Sequence, residues 1–177
     1  MKNLEIYIHI PFCVRKCEYC DFLSFPADDD AKLRYVKGLM AEMIFYGPLM
    51  KNYQVSSVYI GGGTPSSIDE QWTAALMEGV FDCFNVLPDA EISIECNPGT
   101  LSREKLLAYR DAGINRLSIG LQSANNDELK LLGRIHTFEQ FVTNYEVARN
   151  VGFKNINVDL MYGLPGQSAS QLSLIQI

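Results

Sequence analysis

Near its start the chain reads Tyr7-Ile8-His9-Ile10-Pro11-Phe12-Cys13-Val14-Arg15-Lys16-Cys17-Glu18-Tyr19-Cys20. Polar and apolar residues alternate over residues 4–9, which predicts a β-strand. The chain leaves this strand at Pro11 and enters a loop with three thiols at spacings of four and three residues, Cys13, Cys17 and Cys20. The first strand thus leads directly into a cysteine-rich segment, here named the cysteine loop (residues 13–20).

The five cysteines of the sequence suit a metal site better than a disulfide framework. Their number is odd, and Cys83 and Cys96 stand apart from the three in the loop, as is typical of proteins in reducing compartments. Three closely spaced thiolates can bind three irons of a 4Fe-4S cluster and leave the fourth iron open to a ligand. Arg15 and Lys16 favour the ionised sulfur and offset the negative charge of such a cluster.

A structural zinc site is the alternative for these thiols. Such sites usually combine paired C-x-x-C elements and need four ligands, so His9 or Cys96 would have to supply the fourth from a strand. The spacing C-x3-C-x2-C matches none of the common zinc arrangements. The residues alone therefore favour the cluster and leave a zinc-stabilised binding domain open as another function.

Predicted strands and helices alternate along the whole chain. The strands are predicted at residues 4–9, 56–61, 91–96, 116–122 and 155–160, and the helices at 31–46, 68–83, about 102–112 and from Thr137 to near Gly152. Two helices follow capping boxes, Ser67-Ile68-Asp69-Glu70 and Thr137-Phe138-Glu139-Gln140. This alternation builds a parallel sheet covered by helices, either doubly wound or a TIM-type barrel. No linker interrupts it, so we expect one domain over residues 1–177.

Composition excludes several other classes of protein. The 177 residues are 47% hydrophobic and 20% charged, which predicts a folded, soluble domain rather than a disordered chain. A net charge of -6 without any basic cluster argues against nucleic acid as a partner. No apolar run approaches the length of a membrane span or a signal peptide, so we expect no transmembrane segment and a cytoplasmic protein.

Further motifs follow the cysteine loop in order. They are Gly61-Gly62-Gly63-Thr64-Pro65-Ser66, Glu95-Cys96-Asn97-Pro98-Gly99-Thr100, Ser118-Ile119-Gly120-Leu121-Gln122-Ser123, Leu132-Gly133-Arg134-Ile135-His136 and Asp159-Leu160-Met161-Tyr162-Gly163-Leu164-Pro165-Gly166. With them the chain resembles radical S-adenosylmethionine (AdoMet) enzymes. Among these it is most similar to the oxygen-independent coproporphyrinogen III oxidases and their close relatives, the heme chaperones. The likeness runs from Ile6 to Gln167.

The resemblance implies a particular α/β fold, a partial TIM-type (β/α) barrel of parallel strands with the site at their carboxyl ends. The residues support this independently, because the cysteine loop, Gly61–Thr64, Glu95, Gln122 and Asp159 all follow predicted strands. The fold would be incomplete, since only residues 168–177 follow the fifth strand and its turn, and later strands and a C-terminal domain would be absent. We therefore expect an open sheet edge and either poor stability of the isolated chain or its dependence on a partner.

Site residues are also implied by the resemblance. Cys13, Cys17 and Cys20 would hold the cluster, and the remaining residues would contact AdoMet. Gly62, Gly63 and Thr64 would hold the amino end of its methionine, Tyr7 and Tyr19 would flank the cluster and adenine, Glu95, Gln122 and Asp159 would bind the nucleoside side, and Arg134 would meet the carboxylate.

The activity implied by the resemblance begins with an electron donor that reduces the cluster. The cluster then cleaves AdoMet to methionine and a 5'-deoxyadenosyl radical, which in the oxidases abstracts hydrogen from a propionate of coproporphyrinogen III. Those oxidases have a further cysteine two residues after the third, where this chain has Phe22. Phe22 favours the heme chaperone branch, with heme as a ligand, and leaves the oxidase, with a porphyrinogen as substrate, as the alternative.

The sequence also predicts the surroundings of four residues that have no assigned role in the site. Cys83 lies on the apolar stripe of a helix and is predicted to be buried. Cys96 should point to the face opposite Glu95, into the core. His9 fits either a site residue or a structural histidine at a strand end, and His136 is predicted to be exposed in a polar turn.

Overall fold

The computed structural model describes residues 2–173, in which five parallel strands form one sheet in the order β1-β2-β3-β4-β5. The strands are β1 (Lys2–Ile10), β2 (Tyr53–Gly62), β3 (Val86–Cys96), β4 (Arg116–Gln122) and β5 (Asn155–Leu160). The helices are α1 (Asp29–Tyr46), α2 (Glu70–Cys83), α3 (Arg103–Asp111), α4 (Asn126–Leu131), α5 (Phe138–Asn150) and α6 (Ala169–Ser173). Met1 and residues 174–177 of the predicted domain lie outside the described part.

The strand order decides between the two predicted architectures. Each strand pairs in parallel with the next one along the chain. A doubly wound sheet reverses its order at a switch point, whereas a TIM-type barrel continues in one direction. The order is therefore that of a barrel, and the predicted partial TIM-type fold is confirmed.

The two faces of the sheet differ in polarity because side chains alternate along each strand. In β3, Ile92 and Ile94 belong to the hydrophobic core with the apolar stripes of the helices. The intervening Glu91, Ser93 and Glu95 make polar contacts instead. Helices thus cover the apolar face, and the polar face is left to line the interior of the partial barrel.

One of the two predicted capping boxes is confirmed and the other is wrong. The Thr137 hydroxyl accepts the Gln140 amide at 3.3 Å, and the Gln140 side chain accepts the Thr137 amide at 2.9 Å. For α2 the cap is Asp69, whose carboxylate accepts the Gln71 amide at 2.7 Å. Ser67 cannot cap this helix because it lies in a preceding 3-10 turn, where its hydroxyl donates to the Phe12 carbonyl at 3.1 Å.

Two short helices were not predicted, α4 and α6. Neither is long enough to present a repeating apolar stripe, which was the signal used for the other helices. A local signal for α4 is present in Asn125, whose side chain accepts the Asp127 amide at 2.8 Å as an N-cap.

None of the helices within residues 2–173 is long and apolar enough to cross a bilayer.

Three predictions about single residues meet different outcomes. Cys96 is 5% exposed and belongs to the core, as predicted. Cys83 was predicted to be buried but is only half-buried, because it lies at the end of α2, where it packs against Gly47. His136 was predicted to be exposed, and that prediction is wrong: it is 3% exposed.

His136 is buried because the segment after α4 folds inward. The Leu132 carbonyl in this segment accepts the Glu18 amide of the cysteine loop at 3.1 Å, and the imidazole lies beside the Leu121 backbone of β4. Within the described residues neither ring nitrogen has a partner at hydrogen-bond geometry. Burial, followed by the charge of Arg134, lowers the pKa of His136 from 6.5 to about 4, and proximity to Leu121 opposes this only partly.

We predict that this histidine makes the fold acid-sensitive. Because the pKa of His136 is lowered on folding, its stabilising effect is present above the unfolded value of 6.5 and is lost as pH falls toward about 4. Between pH 7 and pH 5 the loss should be about 2 kcal/mol in the free energy of unfolding. Urea unfolding of the parent and of His136→Gln, which does not titrate, measures it. Equal pH dependence in both proteins would contradict the prediction.

Candidate functional site

A cleft of about 170 Å³ opens at the carboxyl ends of the strands. All predicted site residues except Tyr7 line it, and the structure therefore brings together parts of the sequence as far apart as Cys13 and Asp159. The lining residues that sequence reasoning did not assign to the site are Arg15, Phe22, Cys96, Asn97, Ser118 and Gly120. Ser118 and Gly120 could have been found, because they alternate with Gln122 along the same strand.

The cysteine loop is joined to the turn after β2 by main-chain hydrogen bonds. The Gly63 amide donates to the Ile10 carbonyl, and the Thr64 amide donates to the Phe12 carbonyl, both at 2.8 Å. On its other side the loop returns through Phe25, whose amide donates to the Pro11 carbonyl at 2.9 Å. The pairing of β1 with β2 thus continues beyond the strands and fixes where Cys13 lies.

Two glycines in this turn are required by close approach. A Cβ atom at Gly63 would lie 2.9 Å from the Phe12 carbonyl oxygen and 3.0 Å from Cys13 Sγ. Gly62 has a φ of +121°, and a Cβ atom there would lie 2.8 Å from the His9 ring. No side chain fits at either position without displacing the cysteine loop or β1.

Each of the three sulfurs in the loop has a polar neighbour. The contacts are Thr64 Oγ1 to Cys13 Sγ at 3.4 Å, Arg134 Nη1 to Cys17 Sγ at 3.7 Å and Ser24 Oγ to Cys20 Sγ at 3.9 Å. Hydrogen bonds to cysteine sulfur are one of the factors that set the potential of an iron-sulfur cluster. The sulfurs therefore lie in a polar environment that suits thiolates.

The three thiols do not form a compact site for one ion. Across residues 2–173 no group of three His, Cys, Asp or Glu side chains could hold a single metal ion. A zinc site requires four ligands around one centre, whereas the thiolates of a cubane bind different irons at separate corners. The zinc alternative has no ligand set within this part of the chain.

The Glu95 carboxylate, at the end of β3, accepts one hydrogen bond at each of its two oxygens. The Tyr59 hydroxyl donates to Glu95 Oε1 at 2.8 Å, and the Gly62 amide donates to Glu95 Oε2 at 3.1 Å. Both donors belong to β2, the neighbouring strand. The carboxylate is therefore fixed against residues 61–64, here named the glycine turn, and it lines the cleft.

Asp159 occupies the equivalent place on β5. The Ser118 hydroxyl donates to Asp159 Oδ2 at 3.1 Å, and Asn157 Nδ2 donates to Asp159 Oδ1 at 2.7 Å. Asn157 also donates to the Ser118 oxygen at 3.1 Å. Two carboxylates, from Glu95 and Asp159, thus line the same cleft on opposite sides of β4.

Arg134 and Gln122 meet at the end of β4. Arg134 Nη2 donates to the Gly120 carbonyl at 2.6 Å and Nη1 to the Tyr19 hydroxyl at 3.4 Å, while its buried Nε has no partner among the described residues. Gln122 has a φ of +70°, which is strained for any residue but glycine. Space for both side chains exists because residue 120 is glycine: a Cβ there would lie 2.9 Å from Gln122 Nε2.

Tyr7 and His9 lie outside the lining of the cleft. Tyr7 is 58% exposed, and its hydroxyl lies 2.9 Å from His9 Nδ1. The other ring nitrogen of His9 lies 3.4 Å from the Leu23 carbonyl oxygen. His9 therefore connects β1 to the segment after the cysteine loop, which fits the structural interpretation of this residue.

Comparison with known proteins agrees with this geometry. Residues 7–175 match the sequence model of the Radical SAM superfamily. The chain belongs to this superfamily. Membership implies a 4Fe-4S cluster and AdoMet. The cleft fits both groups: the cysteine loop offers three thiols, two glycines permit close approach of a ligand, and the buried Arg134 Nε has no partner among residues 2–173.

Two curated radical SAM relatives are heme chaperones named HemW. The chain is 40% identical to HemW of Bacillus subtilis over 94% of its own length and 44% of that protein. It is 40% identical to HemW of Escherichia coli over 95% of its own length and 45% of that protein. The chain therefore spans less than half the length of these relatives.

A solved radical SAM structure shows the same fold. It is coproporphyrinogen III oxidase (HemN) from Escherichia coli, with a TM-score of 0.92 and 33% identity. The match covers 98% of this chain and 40% of that protein.

We predict that Gly63→Ala displaces the cysteine loop. The new methyl group would contact the Phe12 carbonyl and Cys13 Sγ, so the variant should lose at least about 1 kcal/mol of stability and bind less iron on anaerobic reconstitution. Gly38→Ala in α1 is the matched control, because nothing lies within 4 Å of its Cβ position. That change should be neutral or stabilising by about 0.5–1 kcal/mol. Equal iron content in both variants would argue against the packing described here.

Proposed function

We propose that this chain is the radical SAM core of a heme chaperone-like protein, with Cys13, Cys17 and Cys20 holding a 4Fe-4S cluster on whose open iron AdoMet binds. The observation that supports it best is the meeting of the cysteine loop, the glycine turn and polar strand ends in one cleft. Three thiolates leave one iron of a cubane without a protein ligand. The proposed core comprises residues 1–177.

Each of the predicted AdoMet-binding residues has a role in this proposal. Gly62, Gly63 and Thr64 offer main-chain groups to the amino end of the AdoMet methionine, and Arg134 offers a planar fork to its carboxylate. Glu95, Gln122 and Asp159 accept or donate hydrogen bonds on the nucleoside side. Tyr19, which contacts Arg134, and Tyr7 on β1 flank the cluster and adenine.

The bound groups supply reductive cleavage of AdoMet when an external electron donor reduces the cluster. The residues of this chain orient AdoMet and exclude water. Arg134 has two roles: one nitrogen contacts Cys17 Sγ, and its buried Nε, which has no partner within the described part of the chain, is free to bind a ligand. An unpaired buried donor is costly, so a carboxylate at this point would stabilise the site.

Phe22 supports the chaperone branch over the oxidase branch. It lines the cleft and is 70% exposed, in the place where the oxidases are expected to have a further cysteine. The two HemW relatives are also more similar in sequence than HemN is, at 40% against 33% identity. We infer heme as a ligand of the full protein and the cytoplasm as its location.

The oxidase remains a second candidate because of one observation. The solved HemN structure superposes on nearly the whole chain with a TM-score of 0.92. The cleft of this chain would therefore suit AdoMet cleavage in either branch, and the substrate is what separates them.

We predict that Cys17→Ser abolishes cluster assembly. Serine oxygen is a poor ligand for iron-sulfur clusters, so after anaerobic reconstitution the variant should contain much less iron and sulfide than the parent and should not bind AdoMet. Cys83→Ser is the matched control, because Cys83 lies at the end of α2, away from the cleft. It should reconstitute like the parent. Undiminished metal and AdoMet binding in Cys17→Ser would disprove the proposed cluster site.

A second experiment separates chaperone from oxidase. The full-length protein, reconstituted and supplied with AdoMet and a reductant, should bind heme and leave coproporphyrinogen III unchanged. Heme titration followed by absorption spectroscopy and product analysis by mass spectrometry measure the two properties. If each protein molecule formed decarboxylated product over many turnovers, the protein would be an oxidase and the chaperone proposal would be wrong.

A further inference from the structure

Tyr59 lies on β2 one layer below the rim of the cleft. Tyr59 pairs in register with Tyr7 on β1 and with Ser93 on β3. Glu95 is the next residue after Ser93 on the same face of β3, so it lies nearer the rim than Tyr59 does. Its hydroxyl reaches up to Glu95 Oε1 at 2.8 Å, while the ring itself does not line the cleft. Tyr59 can therefore act on a ligand in the cleft only through Glu95.

The Tyr59 ring is held in place by its surroundings. It stacks on Tyr7 with ring centroids 6.2 Å apart and planes inclined by 18°. Gly61 leaves room for both rings, since a Cβ atom there would lie 2.8 Å from Tyr59 Cε1 and 3.1 Å from Tyr7 Cε2. The Tyr7 ring packs against the Tyr59 ring, and Gly61 leaves room for it. Together they hold the Tyr59 hydroxyl toward Glu95.

The hydroxyl also stays protonated. Burial raises the pKa of Tyr59, and the hydrogen bond to Glu95 and the charges of Glu95 and Asp159 raise it further, with Arg116 opposing. Tyr59 is therefore a hydrogen-bond donor at neutral pH. A carboxylate oxygen has two lone pairs, so each oxygen of Glu95 can still accept a hydrogen bond from a ligand.

We propose that Tyr59 is a positioning residue for AdoMet, which fixes the Glu95 carboxylate so that its free lone pairs face the ligand. The inference rests on the proposed function, in which Glu95 binds the nucleoside side of AdoMet. Without the Tyr59 hydroxyl, the Gly62 amide is the one remaining hydrogen-bond donor to Glu95 among residues 2–173, and the carboxylate can rotate away. Binding then has to restrict a mobile carboxylate, which weakens affinity without removing a direct contact.

Tyr59→Phe tests this inference because it removes only the hydroxyl. AdoMet affinity of the reconstituted protein, measured anaerobically by calorimetry, should fall about five- to tenfold. The EPR spectrum of the reduced cluster should be unchanged without AdoMet and should shift at correspondingly higher AdoMet concentration. Tyr109→Phe is the matched control, because its buried hydroxyl lies in the core among the helices, away from the cleft. It should bind AdoMet like the parent.

Two further variants distinguish positioning from a general structural role. Gly61→Ala keeps the hydroxyl but pushes both rings, and it should weaken AdoMet binding similarly. In a Glu95→Ala background Tyr59→Phe should cause no additional loss, since the two residues act as one unit. Equal losses in both backgrounds, or less than a twofold loss in the parent, would overturn the inference. Failure of the parent itself to bind AdoMet would overturn the proposed function and this inference together.

Discussion

The site depends on one constraint, the continuation of β1–β2 pairing past the ends of both strands. Main-chain hydrogen bonds from Gly63 and Thr64 to the segment before the cysteine loop bring Cys13 Sγ against the glycine turn. A Cβ atom at residue 63 would lie only 3.0 Å from that sulfur. The cysteine loop and the turn proposed to hold the methionine of AdoMet are therefore joined to each other, and their relative position follows from the register of two parallel strands.

The cleft forms because the two faces of the sheet differ in polarity. Core residues such as Ile94 and Leu117 pack toward the helices, so the alternate side chains of the same strands are forced to the interior of the partial barrel. Those alternate positions carry Glu95 and Asp159, each held by hydrogen bonds from a neighbouring strand. Because all five strands are parallel, their carboxyl ends meet at one edge, where polar side chains from several strands can surround a small ligand.

Much of this arrangement could be predicted from sequence because the signals are local or periodic. The three thiols, the glycine turn and the five strands each occupy a continuous stretch. Burial of His136 and support of Glu95 by Tyr59 could not be predicted in the same way, since both depend on how distant segments pack. The cap of α2 was misplaced for a related reason: Ser67 fits a capping pattern, but its hydroxyl donates instead to the Phe12 carbonyl, just before the cysteine loop.

The central claim is that three cysteines leave one iron of a cubane free and that AdoMet binds there. Electron-nuclear double resonance of the reduced, reconstituted protein with AdoMet labelled with ¹⁵N in its amino group tests this most directly. We expect a hyperfine coupling between the label and the cluster, because the proposed site would place the amino end on the open iron beside Gly62 and Gly63. An intact cluster that binds AdoMet without any such coupling would contradict it.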